Sequence, residues 1–486
     1  MKSQAREATS GEAVTVILII LAIFVIGFGV LHADGMLIMI ASAVVGGCFA
    51  KLLGHTWTEM ATEISSRVGN AFPALLVLLA TGLMVGSWMA AGIIPMMIYY
   101  GLQLISPEYL LPASFLVCII VSLVTGTSWG TAATIGVAII GIGMGLGVPL
   151  PMVAGAVISG AYFGDKMSPL SDTTIMAALM AKTDLYAHIR QMTVTTVPAM
   201  LIALVLFFIL GSGVSGHADI MQSPIYVSMT SNLSENFTFS VLLLLPMLVV
   251  ILGAAFKMPT VPVLVVSSAF AIVMAMVYQD LSFGHALTSA RSGFNSGTMK
   301  PGAEFAAETL RLINRGGLSS MFESVIYALV AFCFGGMLSV TRCLEIALRK
   351  IIAPLTTVAT VVNAAGLSAA AIVGLSSNCN VTFFLVADMF GKKFRELRLK
   401  EQNLSRVMED FATLLECLMP WTVSGIYMAS TLGVPNLQFA PYAFFNVGCA
   451  CLSILYALTY KSIGKWAFAY YEAKDESAGM AAEGRA

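Results

Sequence analysis

The sequence predicts an all-α polytopic membrane protein of about 10–13 transmembrane helices, built as two inverted-topology repeats that contain broken or re-entrant helices. Three observations predict it. Hydrophobic residues fill 58% of the 486 positions and charged residues only 10%, against about 25% charged in a soluble domain. Residues 68–107, 109–164, 351–387 and 417–460 contain no Asp, Glu, Lys, Arg or His, and spans need about 20 apolar residues each. Finally, the polar interruptions of these runs fall into two matching sets, one in each half of the chain.

Each span follows from the same reasoning. Inside hydrocarbon every backbone amide must be paired within its own segment or barrel, and runs such as 241–251 (VLLLLPMLVVI) lack the period of two of a barrel strand. A tail over 1–12 precedes the first helix at 13–31, which is too long for a secretory leader and has no small-residue cleavage site after it. The first membrane repeat with its flanking helices occupies 13–211, with further spans at 36–53, 72–89, 91–105, 109–125, 132–150, 152–164 and 192–211. A loop at 212–236 follows. The second repeat occupies 237–460, with spans at 237–256, 261–278, 324–341, 351–375, 381–390, 411–433 and 440–460. Segments 152–164 and 381–390 are too short to cross alone and read as broken or re-entrant. Residues 304–315, with Glu304, Glu308, Arg311 and Arg315 on one side, read as an amphipathic surface helix.

Charge orients the chain. Lys392, Lys393, Arg395, Arg398, Lys400 and Arg406 make 391–406 the densest basic segment, which the positive-inside rule assigns to the cytoplasm. Residues 212–234 carry no Lys or Arg and are expected outside; 461–486 is expected as a cytoplasmic tail. The net charge of -1 leaves no basic field for nucleic acid. Eight cysteines without a CxxC pair indicate neither zinc nor a disulfide frame. His188, His217 and His285 read as solvated residues of polar segments.

The residues that break the apolar pattern carry the chemistry. In the first half Gly126-Thr127-Ser128-Trp129-Gly130-Thr131 is followed by Asp165-Lys166-Met167-Ser168-Pro169-Leu170-Ser171-Asp172-Thr173. In the second, Gly374-Leu375-Ser376-Ser377-Asn378-Cys379-Asn380 is followed by Glu416-Cys417-Leu418-Met419-Pro420-Trp421-Thr422. Superimposing Pro169 on Pro420 pairs Asp165 with Glu416, Ser171 with Thr422 and Thr173 with Ser424. Gly126 and Gly374 are the expected helix breaks, 43 and 46 positions before the prolines. A proline inside a helix frees the carbonyl four residues back, which predicts a kink at Pro169 and Pro420 and spare carbonyls at Asp165 and Glu416. Carboxylates, carbonyls and hydroxyls together form an oxygen shell suited to a hard cation. Carboxylates at membrane depth cost several kcal/mol unless paired or wetted, so Asp165, Asp172, Asp410 and Glu416 read as functional. The bland alternatives are an Asp165–Lys166 ion pair at a helix end and an Arg406–Asp410 surface pair.

The stretch SGAYFGDKMSPLSDTT at 159–174, together with GTSWGT at 126–131, resembles the NhaC-type sodium/proton antiporters of the ion transporter superfamily. Glu409-Asp410, Thr413 and Pro420-Trp421-Thr422 resemble the family's second, acid-rich motif in looser form, with Thr422-Val423 departing from it. The resemblance implies a secondary antiporter of the bacterial cytoplasmic membrane, not an enzyme, and without a cofactor. Na+ is expected at Asp165 and Asp172, with Thr127, Ser128, Ser168, Thr173, Asn378 and Asn380 as neutral ligands and Asp410 and Glu416 from the other half. Na+ and H+ would compete for the same carboxylates. Li+ or small carboxylates are alternative cargo, and the expected partners are the bilayer and a second copy in a homodimer. The nearest rival is a malate/lactate antiporter with Lys166 or Arg406 holding the organic anion. An intramembrane aspartyl protease is a distant one, because Phe163 stands where its Gly-x-Gly-Asp motif needs glycine.

Overall fold

The computed structural model describes residues 5–31, 33–214, 223–299, 301–302, 304–462 and 464–471, and among them it is all-helical apart from one isolated bridge between Leu399 and Tyr470. His217 and most of the tail after 461 lie outside the described residues. Nine of the described helices are long and apolar enough to cross a bilayer, or eleven if two bent pairs count as one span each. The chain opens with α1 (Ser10–Gly29), α2 (Gly35–Leu52) and α3 (Trp57–Ala91). Thr9 and Thr56 begin the first and third with capping boxes, each reciprocated by the glutamate three residues on. α3 runs 35 residues, well beyond the expected 72–89, because its charged first turns (Glu59, Glu63, Arg67) hide a continuous helix.

The first repeat follows as α4 (Ile93–Leu104), α5 (Pro107–Thr125), α6 (Ser128–Gly145, with a π turn at Ala132–Gly136), α7 (Leu150–Met167), α8 (Asp172–Ala181) and α9 (Leu185–Ser212). The connecting region holds α10 (Pro224–Asn236), α11 (Val241–Ala255), α12 (Thr260–Tyr278), α13 (Phe283–Ser292), α14 (Ala307–Ile313) and α15 (Leu318–Val340). α14 buries Thr309, Leu312 and Ile313 and exposes Arg311, so the amphipathic stretch is shorter than expected and its apolar side enters the core. The second repeat comprises α16 (Cys343–Ile352), α17 (Val358–Ser376), α18 (Cys379–Glu396), α19 (401–416, with a π turn at Glu409–Thr413), α20 (Val423–Leu432), and the bent pair α21 (Asn436–Tyr442) and α22 (Phe444–Leu458).

The two repeats match without insertion. Adding 251 to the bounds of α5, α6 and α8 gives the bounds of α17, α18 and α20, and the same offset carries the first residues of α7 and α9 onto those of α19 and α21. Packing is reciprocal as well: α8 lies on α18 while α20 lies on α6, α7 packs on α22 while α19 packs on α9, and α9 meets α22. This is the pattern of a pseudo-two-fold, in which the same surface is used twice.

Two expectations change here. Residues 152–164 and 381–390 belong to unbroken 18-residue helices, α7 and α18; their apolar runs look short because charged residues (Asp165, Lys166, Lys392, Lys393) occupy the last turns. The interruptions lie between helices, at 126–127, 168–171, 377–378 and 417–422. In α7 Gly160 and Gly164 permit backbone contact with α5: a Cβ at Gly160 would stand 2.3 Å from the Phe115 carbonyl, and one at Gly164 2.5 Å from the Leu123 nitrogen. Small residues make such contacts between membrane helices feasible.

Candidate functional site

The site grows from two helix breaks of one design. α5 ends at Gly126 in the left-handed region (φ 67°), Thr127 is extended (φ -146°, ψ 124°), and α6 restarts at Ser128. α17 ends at Ser377, also left-handed (φ 50°), Asn378 is extended (φ -151°, ψ 110°), and α18 restarts at Cys379. Thr127 Oγ1 accepts from the Gly130 amide at 3.3 Å and Asn378 Oδ1 from the Val381 amide at 3.1 Å, so each extended residue caps the restarting helix. The partner of Gly126 is therefore Ser377, not Gly374, which lies inside α17 and whose carbonyl accepts from Trp421 Nε1 at 2.7 Å. With that correction both breaks precede their prolines by 43 positions. A serine in the left-handed conformation concealed the true break, because glycine is the residue one looks for there.

Each restart receives a carboxylate. The Ser128 amide and Oγ donate to Asp165 Oδ2 at 3.1 and 2.6 Å, and Cys379 Sγ donates to Glu416 Oε2 at 3.0 Å. Asp165 and Glu416 are both buried, and the buried Tyr162 faces both while its hydroxyl makes no hydrogen bond among the described residues.

The prolines work differently from the expected kink. α7 stops at Met167, Ser168 to Ser171 form a turn, and Pro169 is exposed within it. The Asp165 carbonyl is not spare: it accepts from the Ser168 amide at 3.2 Å and from Thr174 Oγ1 at 3.4 Å. The Glu416 carbonyl accepts from the Met419 amide at 3.1 Å and Thr422 Oγ1 at 2.6 Å. Both prolines thus end a helix just past its acid, and hydroxyls from the following half-helix take up the orphaned carbonyls.

A second, charged cluster joins the repeats. Lys166 Nζ bonds Asp410 Oδ1, which also accepts from Thr195 Oγ1 at 3.0 Å. Arg406 Nε lies 3.9 Å from Asp410 Oδ2, Nη1 donates to the Ala467 carbonyl at 2.6 Å, and the guanidinium stands over the Phe468 ring at 5.1 Å. Lys166, Arg406 and Asp410 have no exposed surface. Lys166 is therefore paired across the repeats, not with Asp165, and Arg406–Asp410 is no surface pair. Glu409, next to Asp410 on the π turn, is equally buried, and neither of its oxygens has a hydrogen-bond partner among the described residues. Glu409 stands out in the sequence only as the first acid of the Glu409-Asp410 pair.

The remaining predicted ligands divide. Ser168 is buried, donating to the Leu123 carbonyl at 3.1 Å, and Thr173 is half-buried against Ser171 Oγ at 3.1 Å. Asp172 and Asn380 are exposed at the first turns of α8 and α18, outside the enclosed cluster. His188 is buried, not solvated, with Nδ1 2.7 Å from Ser405 Oγ. Trp129, beside the first break, stacks on Tyr427 of α20 at 4.1 Å, and the Tyr427 hydroxyl donates to the Trp129 carbonyl at 3.0 Å, which locks one repeat's break to the other's half-helix. No group of three or more His, Cys, Asp or Glu side chains among the described residues is arranged to hold a metal.

Comparison with known proteins gives concordant matches. The profile of the Na+/H+ antiporter family matches residues 160–460. An uncharacterized Na+/H+ antiporter of Haemophilus influenzae is 35% identical over 94% of this chain and 97% of its own. The Na+/H+ antiporter NhaC of Alkalihalophilus pseudofirmus is 33% identical over 95% and 98%, and the malate-2H+/Na+-lactate antiporter of Bacillus subtilis 34% identical over 85% and 86%. With a family profile that covers both Asp165 and Glu416, and relatives matched over most of their length and of this one, the chain belongs to the Na+/H+ antiporter family.

Proposed function

We propose that this protein exchanges Na+ for H+ across the bacterial cytoplasmic membrane by alternating access, with Asp165 at the centre of the sodium site. The observation that carries the reading is the buried carboxylate of Asp165 held against the restart of a broken helix, where Ser128 Oγ lies 2.6 Å away. Such discontinuous helices let backbone and hydroxyl oxygens replace a hard cation's water shell. Charge arithmetic supports the exchange. Asp165, Glu409, Asp410 and Glu416 are four buried acids set against two buried bases, Lys166 and Arg406, in number, so two negative charges remain for Na+ or H+ to neutralise. Uncompensated charge at membrane depth is costly, and an empty, unprotonated carrier would reorient reluctantly; that cost enforces exchange.

The two-fold packing suits repeats of inverted topology, each opening the site to one side in turn. The density of Lys and Arg in 391–406 supports a cytoplasmic location for that end of the protein. In everted vesicles, acridine-dye dequenching on adding NaCl is expected for the wild type and absent in Asp165→Asn. Unchanged exchange in that variant would refute the site.

A second reading has its own observation. Lys166 and Arg406 have no exposed surface, whereas Arg315 faces a cleft of about 970 Å³ with Asn314, Ser324, Ser430 and Asn436, beside Pro420. Its Nη2 donates to the Thr431 carbonyl at 3.1 Å. A sodium- and proton-coupled carboxylate antiporter would hold its anion there, and dequenching would then require malate or lactate.

A further inference from the structure

We propose that Glu409 is the residue on which the transported proton rides, separate from the sodium site at Asp165; this rests on the antiport reading above. Each other acid in the cluster has a compensating partner. Asp410 has Lys166 and Thr195, Asp165 has the amide and hydroxyl of Ser128, and Glu416 has the thiol of Cys379. Glu409 has none on either oxygen, with no exposed surface. An ionised carboxylate so placed gives up its hydration and has only the charge of Lys166, already bonded to Asp410, to offset the loss, whereas the neutral acid loses only a modest polar interaction. In the conformation described, Glu409 holds a proton.

Position makes that proton responsive to sodium. The charged and titratable groups facing Glu409 are Asp165 and Lys166 on α7, Asp410 on its own helix and Cys379 on α18. α22, also packed on this turn, contributes Cys449 and Tyr456 near Asp410, and α8 carries the exposed Asp172. Na+ arriving at Asp165 cancels a negative charge that faces Glu409. The ionised form is thereby favoured, and the carboxylic O–H bond breaks to leave the carboxylate on Glu409 and release H+ to water. When the proton returns, the negative charge that held Na+ is diminished and the ion leaves.

The local backbone supports a special role. Residues 409–413 form a π turn, whereas their counterparts 158–162 lie in regular α-helix and place Ile158 where Glu409 stands. The repeat architecture does not require an acid here, and single π turns inside helices often mark functional positions.

The test uses the full-length protein in proteoliposomes. Glu409→Gln imitates the protonated acid, so at saturating sodium it should keep ²²Na+/Na+ counterflow and lose sodium-driven proton movement; Asp165→Asn should lose both. Retained proton movement in Glu409→Gln would overturn the proposal, and so would loss of counterflow in a protein that still elutes as a folded species, since Glu409 would then be a sodium ligand. As a readout independent of any variant's folding, wild-type infrared difference spectra on adding sodium should lose a protonated-carboxyl band, and absence of that band change would also overturn it. If the wild type shows no counterflow at all, the antiport reading itself fails, an outcome distinct from failure of Glu409 alone.

Discussion

Removing the Lys166 ammonium while keeping Asp410 tests whether the cross-repeat pair is a structural clamp. Both groups are without exposed surface, and deleting one member of a buried pair costs about 3–5 kcal/mol because the other is left uncompensated. The two deletions should not cost the same. In Lys166→Met, Asp410 still has Thr195 Oγ1 at 3.0 Å and Arg406 at 3.9 Å, so the loss should lie near the lower limit, about 3 kcal/mol. In Asp410→Asn, Lys166 keeps no hydrogen-bonded carboxylate, and the loss should approach about 5 kcal/mol. The double variant Lys166→Met/Asp410→Asn removes both charges and should lose at least about 2 kcal/mol less than the two single losses added together. The assay is chemical unfolding in detergent micelles, followed by tryptophan emission. Strict additivity would refute the clamp, and Lys166→Met proving the more damaging of the two would refute the reasoning about Arg406 and Thr195.

The two helix breaks respond to opposite substitutions. Gly126→Ala puts a Cβ 2.8 Å from that of Leu170 at a left-handed position and should destabilise by about 1–3 kcal/mol, whereas Ser377→Gly, at φ 50°, relieves strain and should unfold no earlier than the wild type in the same measurement. Ser128→Ala removes the 2.6 Å bond to Asp165; a hydrogen bond to a charged group is worth about 1.5–3 kcal/mol, so the sodium concentration for half-maximal exchange should rise by at least about tenfold in vesicles.

Much of this architecture was legible in the sequence because hydrocarbon forbids charge. The uncharged runs delimit α4 through α6 and α20 through α22, and the polar letters inside or just past them, Thr127-Ser128 and Asp165 above all, are the ones brought together. What escaped reading has physical causes. The 35-residue α3 was masked by its charged first turns. Pro169 and Pro420 read equally well as kinks or stops, and only the hydroxyls of Thr174 and Thr422, folded back onto the freed carbonyls, distinguish the two. Asp172 looks no different from Asp165 as a letter, yet one begins a half-helix at the surface and the other ends a helix in the core. The Lys166–Asp410 pair joins residues 244 positions apart, beyond any local pattern, and Glu409 owes its orientation to a π turn that no spacing announces.

The unbroken offset of 251 residues between the repeats has a consequence for how this chain can vary. One residue added to or removed from the stretch between Gly126 and Asp165 would turn the following helix by about 100° and carry the carboxylate away from Ser128, and the same applies between Ser377 and Glu416. Because each half-helix is seated on the opposite repeat, such a change would also unseat its counterpart. Length is therefore frozen across both repeats, and freedom to lengthen or shorten lies outside the matched segments, as in the region between them that precedes α15. A fluorescent or affinity domain spliced into this transporter belongs there, in the surface connections between α9 and α12, and nowhere inside the paired segments.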